Sequence, residues 1–381
     1  MSTDTPPEIG WRAARPKSSQ RGRFLPVTDI PRPVRQLPLW AGCLLLLLAP
    51  LRLRAVILFG TDDPAHNTTA PTGALSGSGW QWEGRMGFFL GTAIGPRQFI
   101  TASHLQVSGA SIIEFRGLTY QAVGKTNLAG TDLDVLTIAG RFPDYAPLCT
   151  SRREVGRPVV LVGRGGRRGP ENGTHGWFIG DYDAAQRWGT NLVDSVIPAS
   201  QSSGGELLAM GFNATAGADE GIFSAGDSGG GTFLLDRDNL WKLAGVNFGV
   251  DGPFTDNTNN SPVFGALFDI RGLYVGFPGQ QQFIPNSPSP VAARSIVSRI
   301  SSHIDWLSAR IAEPAPADAV LLESAATPSG PFTEEPQYAV DPFAREIRAP
   351  RTNAVRFFRA RGASVLTLQR FEGELGVFTF R

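Results

Sequence analysis

From Val56 to about Glu313 the apolar residues come in short runs broken by Gly, Asn, Asp and Pro. Gly87-Phe88-Phe89-Leu90-Gly91-Thr92-Ala93-Ile94, Pro158-Val159-Val160-Leu161-Val162-Gly163 and Gly231-Thr232-Phe233-Leu234-Leu235 are examples. Runs of this length and spacing predict antiparallel strands closed into a sandwich or barrel. The 45 Gly and 29 Pro favour the same all-β outcome, because they suit many turns rather than long helices. Asp236-Arg237-Asp238-Asn239, between two apolar runs, reads as a hairpin turn. One helix is expected late in the chain. After the strand-like Ser295–Ile300, the residues Ile300, Ile304, Leu307 and Ile311 recur at helical spacing, and the pattern stops before Pro314 and Pro316.

These patterns divide the chain into a basic leader at 1–55, a main domain at 56–312, a linker at 313–317 and a small β-rich C-terminal extension at 318–381. The extension is small for an independent core and is expected to pack on the larger domain. Its plausible strands are Asn353–Arg359 and Ser364–Leu368.

The leader holds nine Lys and Arg against three acids, leaving 26 basic and 31 acidic residues elsewhere, a balance of −5. A mildly acidic body has no basic stripe for phosphates, so nucleic acid is not an expected partner. The basic segment runs into the apolar stretch Leu37–Leu48, which is short for a membrane span. An export signal cut near Ala55 is expected, placing the protein outside the cell or in the periplasm; an uncleaved membrane anchor is the alternative. Lipidation of Cys43 is rejected because most of the apolar run follows it. Removing the leader leaves Cys149 alone, without a disulfide partner.

Gly226-Asp227-Ser228-Gly229-Gly230-Gly231 is the most specific pattern. Glycines let the backbone turn sharply and let a carbonyl approach, so the N–H groups of Gly226 and Ser228 can converge on a developing oxyanion. The competing reading is a Gly-rich hairpin with an incidental serine. A nucleophilic serine needs a base, and the chain has four histidines: His66, His104, His175 and His303. His104 follows the apolar run Phe99–Ala102, at a strand end where working residues are commonly placed. A carboxylate must then hold the imidazole tautomer. Asp132, at the mouth of the strand-like Leu133–Ile138, is the better orienter, with Asp134 as runner-up. The order His104, Asp132, Ser228 is one of the known triad orders.

These segments resemble the boxes of trypsin-like serine proteases. The histidine box is Gly91–Ile94 with Phe99–His104, the aspartate box is Asp132–Leu136, and the serine box is Gly226–Gly230. Ile296–Ile300 with Ile304–Leu307 resembles the family's last strand and C-terminal helix, so the likeness spans about 90–310. It implies two antiparallel β-barrels with the triad between them, and hydrolysis of peptide bonds through an acyl-enzyme. Leu105 and Ser224 stand where family members often carry cysteines, as bacterial members without those bridges do. By the same resemblance Ile222 is the floor of the primary specificity pocket and Ser295 its wall, which implies apolar or small side chains rather than Arg or Lys. The substrate strand would be Leu243–Gly249. The resemblance also implies that cutting after Ala55 exposes a Val56 amine for Asp227; a side-chain partner for Asp227 is the alternative.

The expected partner is therefore a protein or peptide substrate, with membrane contact only through the leader. No cofactor is expected, and the scattered histidines give no metal-ligand spacing. Two other functions fit the same residues: an inactive binding module on a protease fold, or an esterase.

Overall fold

The computed structural model describes residues 56–182, 185–351 and 355–381. The leader, with its expected export signal, and Asn353 and Ala354 of an expected strand lie outside the described residues.

Six strands close a first barrel: Glu83–Met86, Phe89–Ala93, Gln98–Ala102, Ile112–Phe115, Leu118–Asn127 and Leu133–Arg141. All pairings are antiparallel, and Arg85 opposite Glu114 joins the first strand to the fourth to complete the circuit. Alternation explains why these strands read as near-continuous apolar runs. Phe99, Leu136 and Ile138 point into the barrel with Phe115, Tyr120 and Phe142. Their neighbours Ile100, Leu133 and Val135 point the other way, into a core shared with the second barrel. Gln98–Ala102 and the first half of Leu133–Arg141 are thus buried on both faces, whereas Ile112–Phe115 and Leu118–Asn127 alternate buried and exposed, and each fully buried Leu, Ile or Phe contributes about 1.5–3 kcal/mol.

The second sheet runs in the order 187–192, 158–163, 231–235, 241–250, 294–299, 207–211, 195–197. Its ends curl until strands 187–192 and 207–211 touch, forming a barrel left open at one seam. Phe223, Leu161, Leu208 and Val297 fill its interior. The shared core takes Val160, Val162, Phe233 and Val246 from this side, packed against Leu90 and Ile100 from the first barrel. The Asp236–Asn239 hairpin forms as read from sequence, with Asn239 at φ +61° and the Asp236 amide donating to Leu240 O at 2.9 Å.

The helix is Ile304–Ile311 and does not include Ile300. Ile300 follows the strand Arg294–Arg299 directly and is fully buried in the same core as Leu307. It shares the helix's apolar face without its backbone, because Ser301–His303 form the turn between them. The architecture is the all-β, two-barrel chymotrypsin-like arrangement with a C-terminal helix.

Residues beyond the helix form further strands. Tyr338–Asp341 pairs with the far end of Leu133–Arg141, Tyr338 opposite Arg141 and Ala339 opposite Gly140. Gly140 sits at φ +118°, and a Cβ there would lie 2.3 Å from Tyr338 O, so the junction requires glycine. Beside it Glu334 accepts from Tyr338 Oη at 2.7 Å, lies 3.3 Å from Arg141 Nη1 and forms an ion pair with Arg97.

Candidate active site

His104 sits where the strand Gln98–Ala102 leaves the first barrel through a 3-10 turn at Ser103–Leu105, and Gln106 at φ +52° ends that turn. Asp132 immediately precedes the strand Leu133–Arg141, which pairs with Gln98–Ala102 and so brings the two residues together. Asp132 holds the histidine twice. Its Oδ1 accepts the backbone N–H of His104 at 2.7 Å, and its Oδ2 lies 2.7 Å from Nδ1. Its own carbonyl accepts the Ser103 amide at 3.1 Å. With Oδ1 committed to a backbone donor, Oδ2 faces the ring, so Nδ1 carries the proton and Nε2 is left as an acceptor. His104 Nε2 is 2.8 Å from Ser228 Oγ. The imidazole side chain is 39% exposed while that of Asp132 is 8% exposed, so an open imidazole is held by a screened carboxylate.

Asp134, the runner-up, does other work. It is fully buried, its Oδ1 accepts from Asn127 Nδ2 at 3.0 Å, and its Oδ2 lies 3.3 Å from Lys125 Nζ. The remaining histidines are elsewhere: His66 bonds Asp219 at 2.9 Å, and His175 the carbonyl of Asp269 at 2.7 Å. His303 is half-buried at the start of the helix. Cys149 is buried, and burial pushes its thiol up to about 11. Among the described residues no cluster of ligands could hold a metal ion.

Ser228 lies in a loop with Gly226 at φ +96° and Gly229 at φ +85°, conformations that favour glycine. A Cβ on Gly229 would come within 2.6 Å of Leu90 O, so the turn packs directly on the first barrel. Among the described residues the amides of Gly226 and Ser228 have no acceptor. Two unpaired backbone donors therefore lie in the serine loop.

Asp227 points inward and is buried. Its Oδ1 accepts from Gly165 N at 2.6 Å and Val56 N at 3.5 Å; its Oδ2 accepts from Ser224 N at 2.7 Å and Ser224 Oγ at 3.1 Å. Both partners considered from the sequence, the Val56 nitrogen and a side chain, are thus present. Desolvation pushes the carboxyl up to about 6 despite these bonds. The short strand Ile57–Leu58 brings Val56 here by pairing with Gly221–Ile222.

Ile222 and Ser295 are both fully buried. Ile222 packs among Ile57, Phe212 and Phe254, while Ser295 Oγ accepts the Phe223 amide at 3.0 Å. Two supporting residues escaped the sequence reading. Asn247 bonds the carbonyls of Val162 at 2.7 Å and Asp227 at 3.0 Å, and exchanges backbone bonds with Gly229 and Gly230, which fixes the serine loop. Its signal was a lone amide inside the apolar run Leu243–Val250. Phe248 beside it meets His104 edge-on at 5.9 Å between ring centroids.

No family model matches the chain, and no curated protein does. Several hundred solved chains are similar to it, among them three at low identity. Neuropsin, a serine protease expressed in the limbic system of mouse brain, is 12% identical with a TM-score of 0.39, over 62% of this chain and 96% of that one. A mutant of human heparin binding protein (CAP37) is 14% identical with a TM-score of 0.39, over 63% and 96%. The passenger domain of the plasmid encoded toxin of enteroaggregative Escherichia coli is 13% identical with a TM-score of 0.36, over 57% of this chain and 21% of that domain.

Proposed function

We propose that this protein is a serine endopeptidase that cleaves peptide bonds through an acyl-enzyme. The observation that carries the reading is the relay of Asp132 Oδ2 to His104 Nδ1 at 2.7 Å and His104 Nε2 to Ser228 Oγ at 2.8 Å. Ser228 Oγ bonds to the substrate carbonyl carbon as its proton passes to Nε2. The Gly226 and Ser228 amides receive the oxyanion, and the imidazolium then protonates the leaving amine. Water, deprotonated by His104, attacks the acyl carbon and releases Ser228. Ile222 and Ser295 are both fully buried, so the preference for apolar or small residues before the cut rests on the resemblance, which puts no carboxylate at the floor of the pocket. The substrate is a protein or peptide chain laid along the Gly249 end of Leu243–Gly249, because Leu243–Val246 pair with neighbours on both edges.

The reading includes maturation. A cut after Ala55 would place a free amine at the Val56 position, 3.5 Å from a buried carboxylate that desolvation disfavours as an anion. Val56 is held at φ +34°, a region β-branched residues rarely adopt, and cutting the bond before it removes that constraint. Export fits such trimming; among the described residues no helix is long and apolar enough to cross a membrane.

The test is labelling with a fluorophosphonate probe before and after removal of the leader. Native protein should label at Ser228 and Ser228→Ala should not. A native, leader-free protein that fails to label sinks the reading.

A further inference from the structure

The turn beside Ser228 is braced by a side chain from a distant hairpin. The strands Gly166–Asn172 and Gly176–Tyr182 form this hairpin, with Tyr182 opposite Gly166 at its base. Gly166 N donates to Ala225 O at 2.8 Å, the carbonyl just before Gly226. The base of the hairpin is therefore tied to the serine loop, and Tyr182 stands over it. A Cβ built on Gly226 would fall 2.3 Å from Tyr182 Cε2 and 2.8 Å from Cδ2, so the ring lies against the glycine's Cα.

The ring is held from its other side as well. Tyr182 Oη donates to the carbonyl of Phe88, whose ring meets the tyrosine edge-on at 5.7 Å and 86°. Arg164 Nη1 donates to Gly87 O at 2.9 Å. Gly87 and Phe88 form the first-barrel turn between strands Glu83–Met86 and Phe89–Ala93. Two side chains from the segment 164–182 thus grip one turn of the first barrel, and one of them presses on Gly226.

We propose that Tyr182 is a positioning residue that keeps the Gly226 amide aimed into the cleft. The inference rests on the reading of Ser228 as nucleophile. A glycine has wide backbone freedom, and the peptide between Ala225 and Gly226 can rotate its N–H away from the cleft whenever the single bond from Gly166 N to Ala225 O opens. A ring seated on Gly226 Cα and anchored to Phe88 O opposes that rotation, so the donor is in place before an oxyanion forms. Pre-aimed donors act on the transition state and not on ground-state binding. Losing one donor outright costs on the order of 100- to 1,000-fold in rate, so loosening it should cost less.

The test uses the leader-free protein with Tyr182→Ala and Tyr182→Phe, compared with native. Three quantities are measured: the fluorophosphonate labelling rate, kcat and KM on a p-nitrophenyl ester, and the thermal midpoint. Tyr182→Ala should lower labelling rate and kcat by about 10- to 100-fold with KM within twofold of native. Tyr182→Phe keeps the ring but loses the anchor, and should fall between the two. If Tyr182→Ala does not fold, Tyr182→Phe decides, and a labelling rate equal to native overturns the proposal. Tyr182→Ala that folds and labels within twofold of native also overturns it, as does a raised KM at unchanged kcat, which would mark a substrate contact instead. Failure of native protein to label overturns the catalytic reading itself, and is distinguished from these by the native control.

Discussion

The buried carboxylate of Asp227 gives the sharpest energetic test, because the sign of its pH dependence reports what lies beside it. Every group bonded to it is a neutral donor: the amides of Gly165, Ser224 and Val56 and the Ser224 hydroxyl. With the bond before Val56 intact, burial raises the carboxyl from 3.8 to about 6. The folded state then holds its proton more tightly than the unfolded state does. The stabilisation is complete below about pH 3.8, declines as pH rises, and is gone above about pH 6. At about 1.4 kcal/mol per pH unit the rise corresponds to ~3 kcal/mol. The perturbation is Asp227→Asn, which cannot titrate, made in a Ser228→Ala background to prevent self-cleavage. Urea unfolding is followed from pH 4 to pH 7. In the uncut chain the parent should lose ~2 kcal/mol relative to the Asn variant over that range, the rest of the change lying below pH 4. After a cut at Ala55–Val56, an ammonium faces the carboxylate and favours its charged form, and the relative loss should vanish. A parent-minus-variant difference that stays flat with pH in the uncut chain would refute the reasoning.

Three further outcomes are expected. Asp132→Asn must keep its oxygen on the His104 amide, so its NH2 faces Nδ1 and forces the wrong tautomer; acylation of Ser228 should fall about 10,000-fold. Asp134→Asn should stay within about tenfold of native in the same labelling assay, since that carboxylate faces Lys125 and Asn127 instead of the histidine. Arg97→Met leaves Glu334 with Arg141 and Tyr338 only; a urea midpoint shift equivalent to about 2–3 kcal/mol is expected, below the loss for a fully stranded buried charge.

The strands of both barrels were legible because most are buried on two faces, so their sequences stay apolar through each run. His104, Asp132 and Ser228 were legible because each sits in a local pattern of its own, a strand end, a strand mouth and a glycine turn. The start of the helix was not, since Ile300 shares a core with Leu307 and periodicity reports a face rather than a backbone. Tyr182 left no local trace. Its contacts are with Phe88, far back in the chain, and with a glycine that has no side chain to covary in type. The two-residue strand Ile57–Leu58 was equally silent, being too short to show alternation.

The strand Leu133–Arg141 has Asp132 before its first residue and Tyr338 bonded across from its last. At ~3.4 Å per residue it is a rod of ~30 Å, paired along its length with barrel neighbours. The carboxylate of Asp132 and the C-terminal strand Tyr338–Asp341 are thus mounted on opposite ends of one stiff beam. A pull on the extension is carried along that beam into the wall of the first barrel and does not cross the cleft.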